Sequence, residues 1–168
     1  MRLSAERAGI ILRGVRTGND VVAAERKRLD RDLADAKHRI SNAVTASGTT
    51  LTELHGVGPI TAALILGHVG DPARFRTRHQ FASYNGTAPI EASSGPKVRH
   101  RLNPRGNRTL NHAIHMIAVT QIRNDTPGRA YYLRRQAEGK TRKEAIRALK
   151  RRVSDAVWRQ LQVDLLHR

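Results

Sequence analysis

Residues 51–70 read LTELHGVGPITAALILGHVG. Two apolar stretches flank Gly56-Val57-Gly58, and Pro59 opens the second of them. Proline suits the first position of a helix, because the N–H it lacks would have no partner there. Glycine supplies the backbone angles of a tight turn. The stretch therefore predicts a short helix over 51–55, a turn over 56–58 and a second helix from Pro59 to about Gly67. That is a helix-hairpin-helix spanning 51–67. Amides of such a turn and of the following helix start point outward and can hold a phosphate without reading a base. Gly56, Val57 and Gly58 are accordingly candidate nucleic-acid-binding residues. An ordinary helix pair with a Gly turn would show the same pattern, and the charge of the chain favours the phosphate.

That charge is large. The 168 residues hold 31 Lys and Arg against 14 Asp and Glu, a formal net charge of +17. A surplus of this size repels itself unless a polyanion lies nearby. Nucleic acid is the first candidate, since each neutralised phosphate releases counterions. A ribosome or an anionic membrane surface would select the same sign. One Trp, three Tyr and two Phe are too few for an aromatic base-stacking sheet. Zero Cys excludes disulfides, cysteine zinc sites and a cysteine nucleophile. No apolar run approaches the ~18 residues of a membrane span, and the N-terminus lacks the pattern of a signal peptide. The expected compartment is the cytoplasm. At 39% hydrophobic, the chain can fill a modest core of one domain with an arm.

Upstream of the hairpin, residues 1–18 carry three Gly and several Arg without a long period and are expected to form a flexible arm. A long helix is expected from Asn19-Asp20 to about 48, where Gly48 suits a C-terminal cap. Val22, Leu29, Leu33, Ala36, Ile40 and Ala43 recur at heptad spacing, with Arg26 in one seam position. The seam fits packing on the chain's own domain or against a partner helix. Its narrow, Ala-containing stripe favours the partner, so a homo-oligomer through 22–43 is expected.

Downstream, residues 49–168 are expected to be a helical domain. Asp71-Pro72 starts a short helix with Phe75 and Phe81 turned inward and Arg74, Arg76 and Arg78 exposed. Asn107 can cap a helix with Leu110, Ala113, Ile114, Ile117, Ala118 and Ile122 on its apolar face. Arg129–Glu138 is a shorter helix. Thr141-Arg-Lys-Glu144 is a capping box for a last helix that buries Ile146, Leu149, Val153, Ala156, Val157 and Leu161. Its other face is assigned Arg142, Lys143, Arg147, Lys150, Arg151 and Arg159. No long segment alternates with period two, so the fold class is all-α.

Between these helices, Asn85–Gly106 has no helical period, and Lys97, Arg99, Arg101 and Arg105 follow one another without an intervening acid. With Arg108 they are candidate nucleic-acid contacts. Ser93-Ser94-Gly95 lies just before them. A serine can attack a phosphodiester and keep one strand end as a phosphoserine, provided its proton is removed and the charged phosphorus is stabilised. Arginine forks suit the second task. Taken alone, Ser-Ser-Gly reads as an ordinary flexible loop. The acids are scattered, so a two-metal nuclease centre is not expected in this chain. His112 and His115 are three apart on one helix without a third ligand nearby, and are read as interface or phosphate-contacting residues.

Several of these motifs occur together in order: the GVGP hairpin, Asp-Pro-x-Arg-Phe, Gly-x-Ala-Pro followed by Ser-Gly, and Arg-Gly-Asn-Arg-x-Leu. In that order, from Leu51 to Leu161, the chain resembles the C-terminal domain of insertion-sequence transposases of the IS-one-ten family. The resemblance implies a two-part enzyme, in which a RuvC-like N-terminal domain holds divalent metal on four acids and the C-terminal domain supplies a nucleophilic serine. It also implies a coiled-coil connection between subunits and a structured guide RNA that selects DNA. Carried to this sequence, the catalytic serine falls on Ser94 or Ser93, with Ser94 favoured because it precedes Gly95. Nothing here resembles the RuvC-like domain, so no cofactor is expected in this chain. It reads as a transposase C-terminal part that binds DNA and is inactive alone. The alternatives are a non-catalytic helix-hairpin-helix binding module and a dominant-negative partner of a full-length enzyme.

Overall fold

The structure is a computed structural model that describes residues 2–91, 100–101 and 106–167. The described residues form six α-helices and one very short antiparallel strand pair. The chain divides into two compact units, Met1–Ile40 and Ser41–Arg168.

Helix α1 runs Arg2–Ala46. The expected start at Asn19-Asp20 is therefore corrected: the helix begins near the N-terminus. Gly9, Gly14 and Gly18 do not interrupt it, which accords with glycine weakening a helix by only about 1 kcal/mol each. Gly48, at φ +66°, ends it as expected. Between Asn19 and Ile40 its surface is wet, and exposed ion pairs such as Arg28–Asp32 at 3.8 Å run along it.

In the second unit, the expected 51–55 helix shrinks to a single 3-10 turn, Leu51–Glu53. The Leu54 and Val57 amides close onto Leu51 O and Leu54 O, so the chain turns before a helix can develop. Helix α2 spans Pro59–Val69, two residues longer than expected, with Gly70 at φ +63° behind it. A 3-10 turn at Pro72–Arg74 follows, with the Asp71 carboxylate accepting from the Ala73 amide. Helix α3 is Arg78–Tyr84, capped by Thr77. Strands β1 (Ile90–Glu91) and β2 (His100–Arg101) pair antiparallel. Helix α4 is Arg108–Arg123 and α5 is Pro127–Ala137, which begins two residues earlier than expected because Thr126 caps it. Helix α6 is Arg142–Leu166, opened by the expected capping box of Thr141 and Glu144.

Helix α6 is the spine. It packs on α3, α4, α5 and both 3-10 turns, while α4 packs on α2 and α5. The core consists of Leu51, Ile65, Phe81, Leu110, Ile114, Ile117, Leu149, Val157 and Leu161, all essentially sealed from water. Each such side chain contributes roughly 1.5–3 kcal/mol by leaving water. Phe75 and Phe81 turn inward as expected and meet edge to face at 5.3 Å. Among the described residues, no helix is long and apolar enough to cross a membrane.

Candidate nucleic-acid interface

The charge surplus concentrates in the helical unit. Ser41–Arg168 holds 21 Lys and Arg against 8 Asp and Glu. Three local arrangements decide which of its groups face outward.

The first is the hairpin turn, which is seated on the C-terminal half of α4. Gly56 has φ +91°, and a Cβ there would lie 3.1 Å from the Ile117 carbonyl and 3.3 Å from Thr120 Cβ. Glycine is required on both counts. The Gln121 side-chain amide donates to the His55 carbonyl at 2.9 Å and fixes the turn from the other side. Val57 points into the core, and its amide donates to Leu54 O at 2.9 Å. This corrects one expectation: the Val57 amide is not available to a phosphate. Gly58 is exposed, extended, and open to solvent on its side-chain side. Its carbonyl accepts from Ala62, so the Ile60 and Thr61 amides have no intrahelical acceptor. The open helix start at Gly58 is thus the part of the motif free to meet an anion.

The second is the root of the Asn85–Gly106 segment. Gly86, at φ +72°, and Gly106 lie back to back. A Cβ on Gly106 would fall 2.5 Å from Gly86 Cα. Asn107 donates its amide to Tyr84 O at 2.7 Å while its side chain accepts from Leu110 N at 2.9 Å, capping α4. The Tyr84 hydroxyl donates to His68 O at 2.9 Å. Both ends of the segment are therefore pinned to α2, α3 and α4.

The third arrangement was not foreseen. Beneath the Gly crossing lies a buried polar cluster. Asn85 is sealed, donates to Ser154 Oγ at 2.8 Å and accepts from the Thr87 amide and hydroxyl at 3.0 and 2.7 Å. Asn111 donates to Asn85 O at 2.8 Å, and the Lys150 ammonium donates to Asn111 Oδ1 at 2.6 Å. Lys150 is thus buried, where the basic face of α6 had been expected to keep it wet. A signal was available in the sequence. Lys150 follows Ile146 by four residues and precedes Val153 by three, which is inward-facing spacing. Burial pushes its pKa down. His115, half-buried on α4, is held below its ordinary range by burial, then by Lys150 and His112.

Of the remaining expected contacts, Arg108 is the exposed first residue of α4, and Arg101 lies in β2. Ser93, Ser94, Lys97, Arg99 and Arg105 lie outside the described residues. Among the described residues, no group of three His, Asp or Glu gathers at metal-holding distance. The divalent ion implied by the resemblance finds no fitting donor set among them.

The family model described as Transposase IS116/IS110/IS902 family matches residues 48–133, just over half of the chain, and the chain belongs to that family. It is 39% identical over 113 residues to an insertion element IS110 uncharacterized 43.6 kDa protein of Streptomyces coelicolor, covering 67% of this chain and 28% of the relative. An insertion element IS116 uncharacterized 44.8 kDa protein of Streptomyces clavuligerus is 32% identical over 113 residues, with the same coverage of 67% and 28%. An insertion element IS900 uncharacterized 42 kDa protein of Mycobacterium paratuberculosis is 30% identical over 145 residues, 84% of this chain and 36% of the relative. The match spans only about a third or less of these relatives' length.

Proposed function

We propose that this chain is a nucleic-acid-binding module of an insertion-element transposase, non-catalytic by itself, which grips DNA through its phosphates. The observation that carries the reading is the solvent-open start of α2 at Gly58, held rigid on α4 within a strongly basic unit. Free amides at a helix start favour an anion, and surrounding Arg adds steering and affinity. Arg108 and Arg101, with Arg105, Arg99 and Lys97, would add further contacts to the nucleic-acid backbone. A partner helix on the Val22–Ala43 seam would pair two copies, or pair this chain with a full-length relative and lower that relative's activity.

Fluorescence anisotropy with duplex DNA tests this reading. Binding should weaken steeply between about 50 and 200 mM salt, as counterion release requires. Gly58→Asp separates fold from function. Aspartate is a favoured N-cap, so α2 should be at least as stable, while its charge repels phosphate. Unchanged affinity in this variant would remove the hairpin from the interface.

The second reading is that the segment rooted at Gly86 and Gly106 carries the nucleophile of a strand-exchange enzyme. Its support is the family resemblance together with the pinned roots. Ser94, or Ser93, would attack a DNA phosphorus. One Oγ–P bond forms, one P–O bond of the strand breaks, and the released strand end takes a proton. The rest of the enzyme and a structured guide RNA would be needed for that step. Assayed within a full-length relative, the Ser93→Ala/Ser94→Ala pair should abolish a covalent DNA adduct while sparing binding. An adduct that persists excludes both serines.

A further inference from the structure

Helices α5 and α6 present a second basic arrangement that neither the hairpin nor the Arg-rich segment includes. Tyr131 on α5 is half-buried, and three guanidinium groups surround its ring. Arg134 lies 5.3 Å and Arg135 5.8 Å from the ring centroid, one turn further along α5. Arg152 reaches the same ring from α6 at 4.9 Å. Among the described residues, Glu138 is the only acid paired with these arginines, at 3.7 Å from Arg134 Nε and 2.6 Å from an Arg135 terminal nitrogen. One carboxylate therefore pairs with two of the three cations. The Arg135 Nε is in addition buried with no hydrogen-bond partner.

Three like charges around one ring repel each other, and a single exposed glutamate offsets only part of that repulsion. The ring compensates in another way. Its π system attracts each guanidinium and restrains the planar forks. Preorganised forks lose little entropy when they meet an oxyanion, and they fit phosphate oxygens in pairs. Carboxylate ligands would fit a single fork. Three forks on two adjacent helices suit a ligand that repeats its negative charge.

We propose that Tyr131, Arg134, Arg135 and Arg152 form a phosphodiester-binding site on the α5–α6 face, a second grip on a nucleic-acid backbone. The site rests on the nucleic-acid reading above and extends it to elements which that reading does not use.

The test uses the whole chain and two probes of equal length, a duplex DNA and a hairpin RNA, titrated by anisotropy between about 50 and 200 mM salt. Arg134→Gln/Arg152→Gln is compared with Arg142→Gln/Lys143→Gln, which removes the same charge from exposed positions at the start of α6. The cluster pair should lose at least about tenfold in affinity and lower the salt slope by about two, with the control pair losing far less. Tyr131→Phe should bind like the original chain, and Tyr131→Leu should weaken binding with no change in charge. The probe that suffers the larger loss identifies the strand held there. Equal losses from the two Arg/Lys pairs, or normal binding by Tyr131→Leu, overturn the site while leaving the hairpin reading intact. If the unaltered chain binds neither probe, the nucleic-acid reading falls and the site falls with it.

Discussion

Single residues set the root of the Arg-rich segment. Gly106 has no room for a methyl group, since backbone atoms of Gly86 occupy its place at 2.5 Å. Gly106→Ala must push two backbones apart. It should cost about 1–3 kcal/mol and lower the melting temperature by several degrees. A melting curve matching the original would show that the crossing has room for a methyl group. Lys150 makes a different kind of prediction. Burial lowers its pKa, so between that value and the ordinary lysine range near ~10.4 the unfolded chain binds more protons than the folded one. Stability must then rise with pH across that window. In Lys150→Met this part of the rise disappears, while near pH 7 the change should stay within about 1 kcal/mol, because the lost bond to Asn111 is offset by removing a buried charge. Denaturant titrations of both proteins at pH 8 and pH 10 provide the check. Parallel pH dependences would mean that Lys150 is hydrated. Neither residue stands out by type. Gly106 is one of 13 glycines, and Lys150 one of 31 cations, so only their neighbours make them special.

Elements stand or fall by their ends and faces. The start of α6 is secured locally, by Thr141 Oγ1 accepting from the Glu144 amide while Glu144 accepts from the Thr141 amide at 2.9 Å. The Thr141 hydroxyl also donates to Glu144 Oε2 at 2.7 Å, and this bond, then the one from the Thr141 amide, holds the Glu144 carboxyl below its usual range. Thr141→Ala should cost about 1 kcal/mol, read as a shift in the denaturation midpoint at unchanged slope. The far end of α6 is secured non-locally. Buried Asp164 accepts from the Thr49 hydroxyl at 2.6 Å and from the Thr50 amide at 3.0 Å, and so ties the segment before the hairpin to the last turns of α6. The capping box could be read from four consecutive letters, whereas the Asp164 clamp joins positions 114 and 115 residues apart and could not. Helix α1 presents the converse case. Leu29 and Leu33 are 56% and 53% exposed, although their spacing is that of a buried seam. If that seam pairs copies of the chain, Leu29→Asp/Leu33→Asp should lower the mass seen in sedimentation to that of one chain. A single-chain mass before substitution would remove the seam as an oligomer contact.

At the scale of the molecule, the net charge of +17 is the dominant property. Self-repulsion of this size destabilises the folded chain at low salt, and a bound polyanion should relieve it. Excess duplex DNA is expected to raise the melting temperature at about 50 mM salt by several degrees, and the gain should vanish near 500 mM as ionic screening removes the attraction. A gain insensitive to salt would point to a different mode of binding. The sequence by itself determined the strongly basic character, the all-helical architecture, the Gly-Val-Gly turn and most caps, because charge, apolar period and capping chemistry act over a few residues. It also carried, through the order of its motifs, the family membership that the match over residues 48–133 bears out. Only the tertiary structure decided that the Val57 amide is spent internally, that Lys150 is buried beside Asn111, and that Tyr131 gathers arginines from two helices. Each of these depends on which groups from distant parts of the chain meet, and that is fixed by how α4, α5 and α6 pack, not by the spacing within any one of them.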